Sequence, residues 1–99
     1  MVFLVIRTWY PMHIQPAVTE VYQKNLQDFP ESGSPSTLVA HTYNSSERGW
    51  ENLVIRSVSA EKLADAMVRA TQALMNYAPI EDYRFTMEVW GDPSEITAQ

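Results

Sequence analysis

The chain has 99 residues, 45% hydrophobic and 19% charged, with seven basic against twelve acidic side chains and a formal net charge of −5. That length and composition describe one ordinary globular domain, residues 1–99, able to bury a core without staples. The acidic balance argues against a nucleic-acid binder, and the absence of cysteine rules out a disulfide framework, a thiolate metal site and a cysteine nucleophile. A cysteine-free chain also suits a reducing compartment, so a cytoplasmic protein is expected.

Met1-Val2-Phe3-Leu4-Val5-Ile6 is apolar but ends at Arg7, with no basic region ahead of it and no small-residue cleavage site behind it. It reads as the start of a strand over residues 2–10 rather than as a signal peptide. No apolar run approaches the ~20 residues that a membrane helix needs, so no membrane association is expected. Tyr10-Pro11 breaks the strand, and Pro16 suits the first turn of a helix. Ile14, Val18, Tyr22, Leu26 and Phe29 then recur at helical spacing, and Pro30 ends the helix. Residues 30–36 form a loop rich in Pro, Ser and Gly; it is either a plain connection or a lid over a site.

Thr37–Tyr43 is a second strand and Trp50–Val58 a third. The turn between them, residues 44–49, is too long for the tightest hairpins. Ser59 is a candidate N-cap, and Leu63, Met67, Ala70, Leu74 and Tyr77 make the apolar stripe of a second helix that stops at Ala78-Pro79. Tyr83–Trp90 is a fourth strand, closed by Gly91-Asp92-Pro93, with a frayed end after it.

The order β-α-β-β-α-β predicts an α+β, ferredoxin-like sandwich: a four-stranded antiparallel sheet with two helices on one face. Alternation assigns Leu4, Ile6, Leu53, Ile55, Phe85, Met87 and Val89 to the helix-covered face. The open face then carries Phe3, Val5, Arg7, Trp9, Asn52, Val54, Arg56, Arg84, Thr86, Glu88 and Trp90. Leu38 and Ala40 suit the helix side of the second strand, which puts Val39, His41 and Tyr43 on the open side. An open face with this many large apolar groups marks an interface, and two such sheets can face each other across a cavity.

In element order, length and this aromatic sheet face, nearly the whole chain resembles the dimeric α+β barrel superfamily, from Val2-Phe3-Leu4-Val5-Ile6-Arg7 to Phe85-Thr86-Met87-Glu88-Val89-Trp90. The resemblance implies a homodimer with a cleft at the barrel lumen or between sheet and helices. Members include cofactor-independent monooxygenases, isomerases and small-molecule-sensing domains. A homodimer that binds a small anionic organic molecule is therefore expected, with oxygenation or isomerisation as the implied chemistry. No cofactor is called for.

Three guanidiniums on one face, Arg7, Arg56 and Arg84, suit the planar fork of a carboxylate or phosphate. The competing reading makes Arg7 and Arg56 structural ion pairs with Glu88 or with a partner's acids. Trp9, Trp90 and Tyr43 would wall the cavity, with Asn52 among its ligand-binding groups; alternatively the aromatics are interface packing. His41 and Glu88 are the candidates for proton transfer, set against a packed, hydrogen-bonded strand histidine. His13 and His41 lack metal-ligand spacing, so no metal site is expected. The decisive feature is a pocket touching both Arg7 and Trp90. Without one, the reading of a ligand held between the sheets is wrong, and the same face belongs to a non-catalytic dimerisation module.

Overall fold

A computed structural model describes residues 1–92. The chain runs β1 (Val2–Tyr10), α1 (Gln15–Asp28), β2 (Thr37–Ser46), β3 (Gly49–Val58), α2 (Leu63–Met75) and β4 (Arg84–Gly91). The strands form one antiparallel sheet in the order β2-β3-β1-β4. This is the ferredoxin-like α+β fold expected from the element order. The frayed end expected after Gly91-Asp92-Pro93 lies outside the described residues. Among the described residues, no helix is long and apolar enough to cross a membrane.

Residues directly opposed in an antiparallel pair point to the same face, so the register assigns both faces of the sheet. Leu4 and Ile6 lie in the core beneath α2, packed with Val58, Ala66 and Leu74. Leu4 opposes Arg56 and Val89, Ile6 opposes Val54 and Met87, and Thr8 opposes Asn52 and Phe85. The expected helix-side residues of β1 and β4 therefore lie on that side, but Phe85 and Val89 of β4 are 40% and 45% exposed and the helices do not cover them. The parity expected for β3 is not. Asn52, Val54 and Arg56 face the helices, while Leu53 and Ile55 share the open face with Arg7 and Val5. The ends of β3 decide the matter. Trp50 and Val58 share the parity of Val54, and Val58 is only 2% exposed in the core.

A second correction comes from β2. Leu38 opposes Arg56, but Ala40 opposes the adjacent Ile55, so Val39 is an extra residue in the ladder. Such a bulge shifts every later residue by one place and reverses its face. His41 therefore opposes Val54 and Tyr43 opposes Asn52, both on the helix side. The β2–β3 hairpin is also tighter than expected. Ser46 pairs with Gly49, leaving Glu47 and Arg48 as a two-residue turn. Gly49 has φ +118°, and a Cβ there would lie 2.3 Å from the Tyr10 carbonyl oxygen, so both backbone geometry and space require glycine.

The helices cover the sheet unevenly. On α2, Leu63, Met67, Ala70 and Leu74 join the core as expected. It starts from a short 3-10 turn, Ala60–Lys62, and Ser59 makes no capping hydrogen bond through its side chain. On α1 only Val18 is buried, although Ile14 packs beside it. Tyr22 and Leu26, expected on its buried stripe, are 41% and 56% exposed. Tyr77, beyond the end of α2, stacks on Tyr83 at 4.3 Å, and Tyr83 stacks on Tyr10 at 5.8 Å, which makes an aromatic core at one end of the sheet. Asn25 ties α1 to α2. Its Nδ2 donates to the Ala73 carbonyl (3.0 Å), and its Oδ1 accepts from Asn76 Nδ2 (2.7 Å).

Candidate functional site

Between the sheet and the two helices lies an open cavity of about 410 Å³. It exists because the elements around it meet through small or polar residues. From α2 come Ala66, Ala70 and Ala73, whose methyl groups leave space above the sheet. From α1 come Thr19, Tyr22, Asn25 and Leu26, and from the sheet Ile6, Thr8, His41, Asn52, Val54 and Arg56. Tyr22, Leu26 and Leu38 line it and are also exposed, so its walls include apolar groups that water reaches. A cavity of a few hundred Å³ with mostly apolar walls and a few converging polar groups is the usual form of a small-molecule site.

The polar end is built around Arg56, whose side chain is 17% exposed. Its Nε donates to Ser36 Oγ (2.6 Å), and its Nη2 donates to Glu31 Oε2 (2.5 Å), Ser34 Oγ (3.3 Å) and the Ser36 carbonyl (3.3 Å). All these acceptors come from the 30–36 loop, so that segment is not a plain connection. It wraps the one guanidinium that β3 sends to the helix side. Arg69 on α2 holds the start of the same loop. It donates to the Pro30 carbonyl and lies 5.5 Å over the Phe29 ring. The hydrogen bond from Arg56, aided by the charges of Arg56 and Arg69, holds the Glu31 carboxyl below the usual carboxylate range. At the opposite end burial pushes the Tyr77 phenol up to about 12, against a hydrogen bond with Asn25, so Tyr77 meets the cavity as a neutral hydroxyl at neutral pH.

The sheet divides the nine expected site residues into two groups. His41, Asn52 and Arg56 line the cavity, with the His41 ring edge-on to Tyr22 at 6.0 Å. Tyr43 is on the helix side but outside the cavity; it is 72% exposed and packs edge-on against Trp50. Arg7, Trp9, Arg84, Glu88 and Trp90 lie on the open face. There Arg7 Nε binds Glu88 Oε1 at 3.2 Å, which is the Arg7 half of the competing ion-pair reading; Arg56 is on the other face and pairs with Glu31 instead. The cavity touches neither Arg7 nor Trp90, so it is not the expected site between two sheets: it lies on the other side of the sheet, away from Arg7, Arg84 and Trp90. His41 and Glu88 stand on opposite faces and three strand spacings apart, roughly 14 Å at ~4.8 Å per spacing, so they cannot serve one reacting group. Tyr22 and Tyr77 are not expected at a site from the sequence, and Glu31, Ser34 and Ser36 enter there only as part of a loop that could be a lid. The tyrosines read as core because helical periodicity cannot separate a packed stripe from a cavity wall. Among the described residues, no three His, Cys, Asp or Glu side chains are arranged to hold a metal ion.

No protein-family model matches the chain, and no curated protein matches it. Solved structures do resemble it. A de novo designed protein, Foldit4, superposes with a TM-score of 0.64 at 12% identity, over 92% of this chain and 97% of that one. A NIPSNAP-family protein of unknown function from Agrobacterium tumefaciens appears in two structures, with TM-scores of 0.55 and 0.50. Both are at 19% identity; the first covers 90% of this chain and 91% of that one. A formyltetrahydrofolate deformylase from Pseudomonas putida matches over 89% of this chain but only 28% of its own, at 8% identity and TM-score 0.52. At such identities the likenesses establish the fold alone. A designed protein among them underlines that this fold carries no particular function.

Proposed function

We propose that the protein binds a small organic acid in the cavity between helices and sheet, with Arg56 as the anion-binding group. One observation carries this reading: a cationic side chain set into the wall of an otherwise largely apolar, solvent-connected cavity. Tyr22, Leu26, Val54 and Ile6 would hold the apolar body of the ligand, and Asn52 and Thr19 would offer polar contacts. If the site is catalytic, His41 is the proton acceptor, because it alone of the two expected proton-transfer residues lines the cavity. Cofactor-independent oxygenation or isomerisation, the chemistry implied by the superfamily resemblance, is compatible with that role. A thermal-shift screen of aromatic and aliphatic monocarboxylic acids tests the binding. The melting point should rise with ligand concentration in the wild type and not in Arg56→Ala. Equal shifts in both proteins, or none in either, would remove Arg56 from the account.

The open sheet face supports a separate proposal, homodimerisation. Trp9 and Trp90, 36% and 52% exposed, and the half-buried Phe3, Leu53 and Ile55 form its apolar part around the buried Val5, and the Arg7–Glu88 pair lies among them. A face of this kind is usually covered. Sedimentation should give a dimer at micromolar concentration and a monomer for Trp90→Asp. A monomeric wild type would refute the dimer and leave the cavity proposal standing.

A further inference from the structure

We propose that Glu31 is an internal stand-in for the carboxylate of the ligand: it holds Arg56 until a monocarboxylic acid entering the cavity displaces it. This rests on the reading of the cavity as a ligand site. The two ends of the Arg56 guanidinium are held differently. Nε is fixed by Ser36, which is 8% exposed. The Nη2 end also touches Ser34 Oγ and the Ser36 carbonyl at 3.3 Å, but its charged partner is Glu31, whose side chain is 59% exposed and which engages it through the single oxygen Oε2. Short as it is, an ion pair this exposed is worth little net and exchanges with solvent, whereas a free carboxylate can take a guanidinium by two parallel hydrogen bonds. Displacement leaves no acid stranded. Glu31 stays at the protein surface, and Arg69, one of the charges that lower its pKa, remains near it.

The same charges set the ligand class. Arg56 and Arg69 face one carboxylate, Glu31, which leaves a single net positive charge at this end of the cavity. One ligand carboxylate neutralises it, and a second would meet Glu31 with nothing to offset it. Beyond Arg56 the walls turn to Tyr22, Leu26 and Leu38. The ligand is therefore a monoacid with an apolar body, and dicarboxylates of the same skeleton are rejected.

Calorimetric titration with phenylacetate and its neutral counterpart phenylacetamide separates this inference from the reading beneath it. The wild type should prefer the acid. Glu31→Gln keeps a hydrogen-bonding side chain but removes the competing charge. It should tighten phenylacetate binding roughly two- to fivefold, the worth of an exposed ion pair, and leave phenylacetamide unchanged. Arg56→Gln should abolish the preference for the acid. If both compounds bind but Glu31→Gln leaves phenylacetate binding unchanged or weaker, the displacement is wrong and the cavity reading survives. If neither binds to any of the three proteins, both fall together.

Discussion

Ala70→Leu tests whether the space above the sheet is a real void. Ala70 lies on α2, lines the cavity and packs against the core formed by Leu4, Ile6 and Val58. Leucine adds three carbons, and burying them fully would be worth about 2.4 kcal/mol at ~0.8 kcal/mol per methylene. The cavity is open, so roughly half of that is realised, about 1.2 kcal/mol. Against it stand a helix-propensity loss of ~0.2 kcal/mol and a rotamer entropy cost of ~0.5–1 kcal/mol. The expected net is between about zero and +0.5 kcal/mol, a melting-point change of 0 to about +4 °C for a domain of this size. The same substitution in a filled core overpacks it and costs ~1–3 kcal/mol. Thermal unfolding followed by circular dichroism distinguishes the two. A fall of about 4 °C or more would mean that no usable void exists beside Ala70, and the cavity account would be refuted at its base.

Two further predictions concern the frame that holds the cavity. Gly49→Ala combines a left-handed backbone with contact against the Tyr10 carbonyl and should cost at least ~1–3 kcal/mol by urea unfolding, whereas Gly91→Ala, with nothing within 4 Å of the added methyl, should fall within ~0.5 kcal/mol of wild type; equal effects would contradict the hairpin geometry. Burial raises the phenols of Tyr77, to about 12, and Tyr83, so ultraviolet titration of the native protein should find these two tyrosines still protonated at pH 11. The unfolded chain loses those protons near pH 10. The associated stability is therefore complete below pH 10 and declines as pH rises toward 12. Tyr77→Phe should make that decline shallower; an unchanged slope would contradict the burial of its hydroxyl.

The element order, the helix ends at Pro30 and near Pro79, and the faces of β1 and β4 were all legible in the sequence. Each rests on local chemistry: proline geometry, or a strand with one polar and one apolar parity. β3 was misread because both parities carry apolar residues, and Leu53 and Ile55 outweighed the signal at its ends, Trp50 and Val58. β2 was misread because nothing in Leu38-Val39-Ala40 announces a bulge, which is set by pairing with β3. The two errors acted together. They kept His41, Tyr43, Asn52 and Arg56 as one group but moved that group through the sheet, away from Arg7, Arg84 and Glu88. The grip of Ser34, Ser36 and Glu31 on Arg56 joins residues 20 or more positions apart and depends on which way β3 faces. A fully buried strand face predicts a core, and only the placement of α1, with Val18 buried and Leu26 exposed, shows that this one is incompletely filled.

The most direct test of the central claim is amide chemical-shift mapping with phenylacetate as probe. The account predicts saturable shifts at Thr19, Tyr22, His41, Asn52 and Arg56 and in the 31–36 loop, with Arg7, Thr86 and Glu88 unmoved. Shifts confined to the open face, or none at millimolar probe, would contradict it.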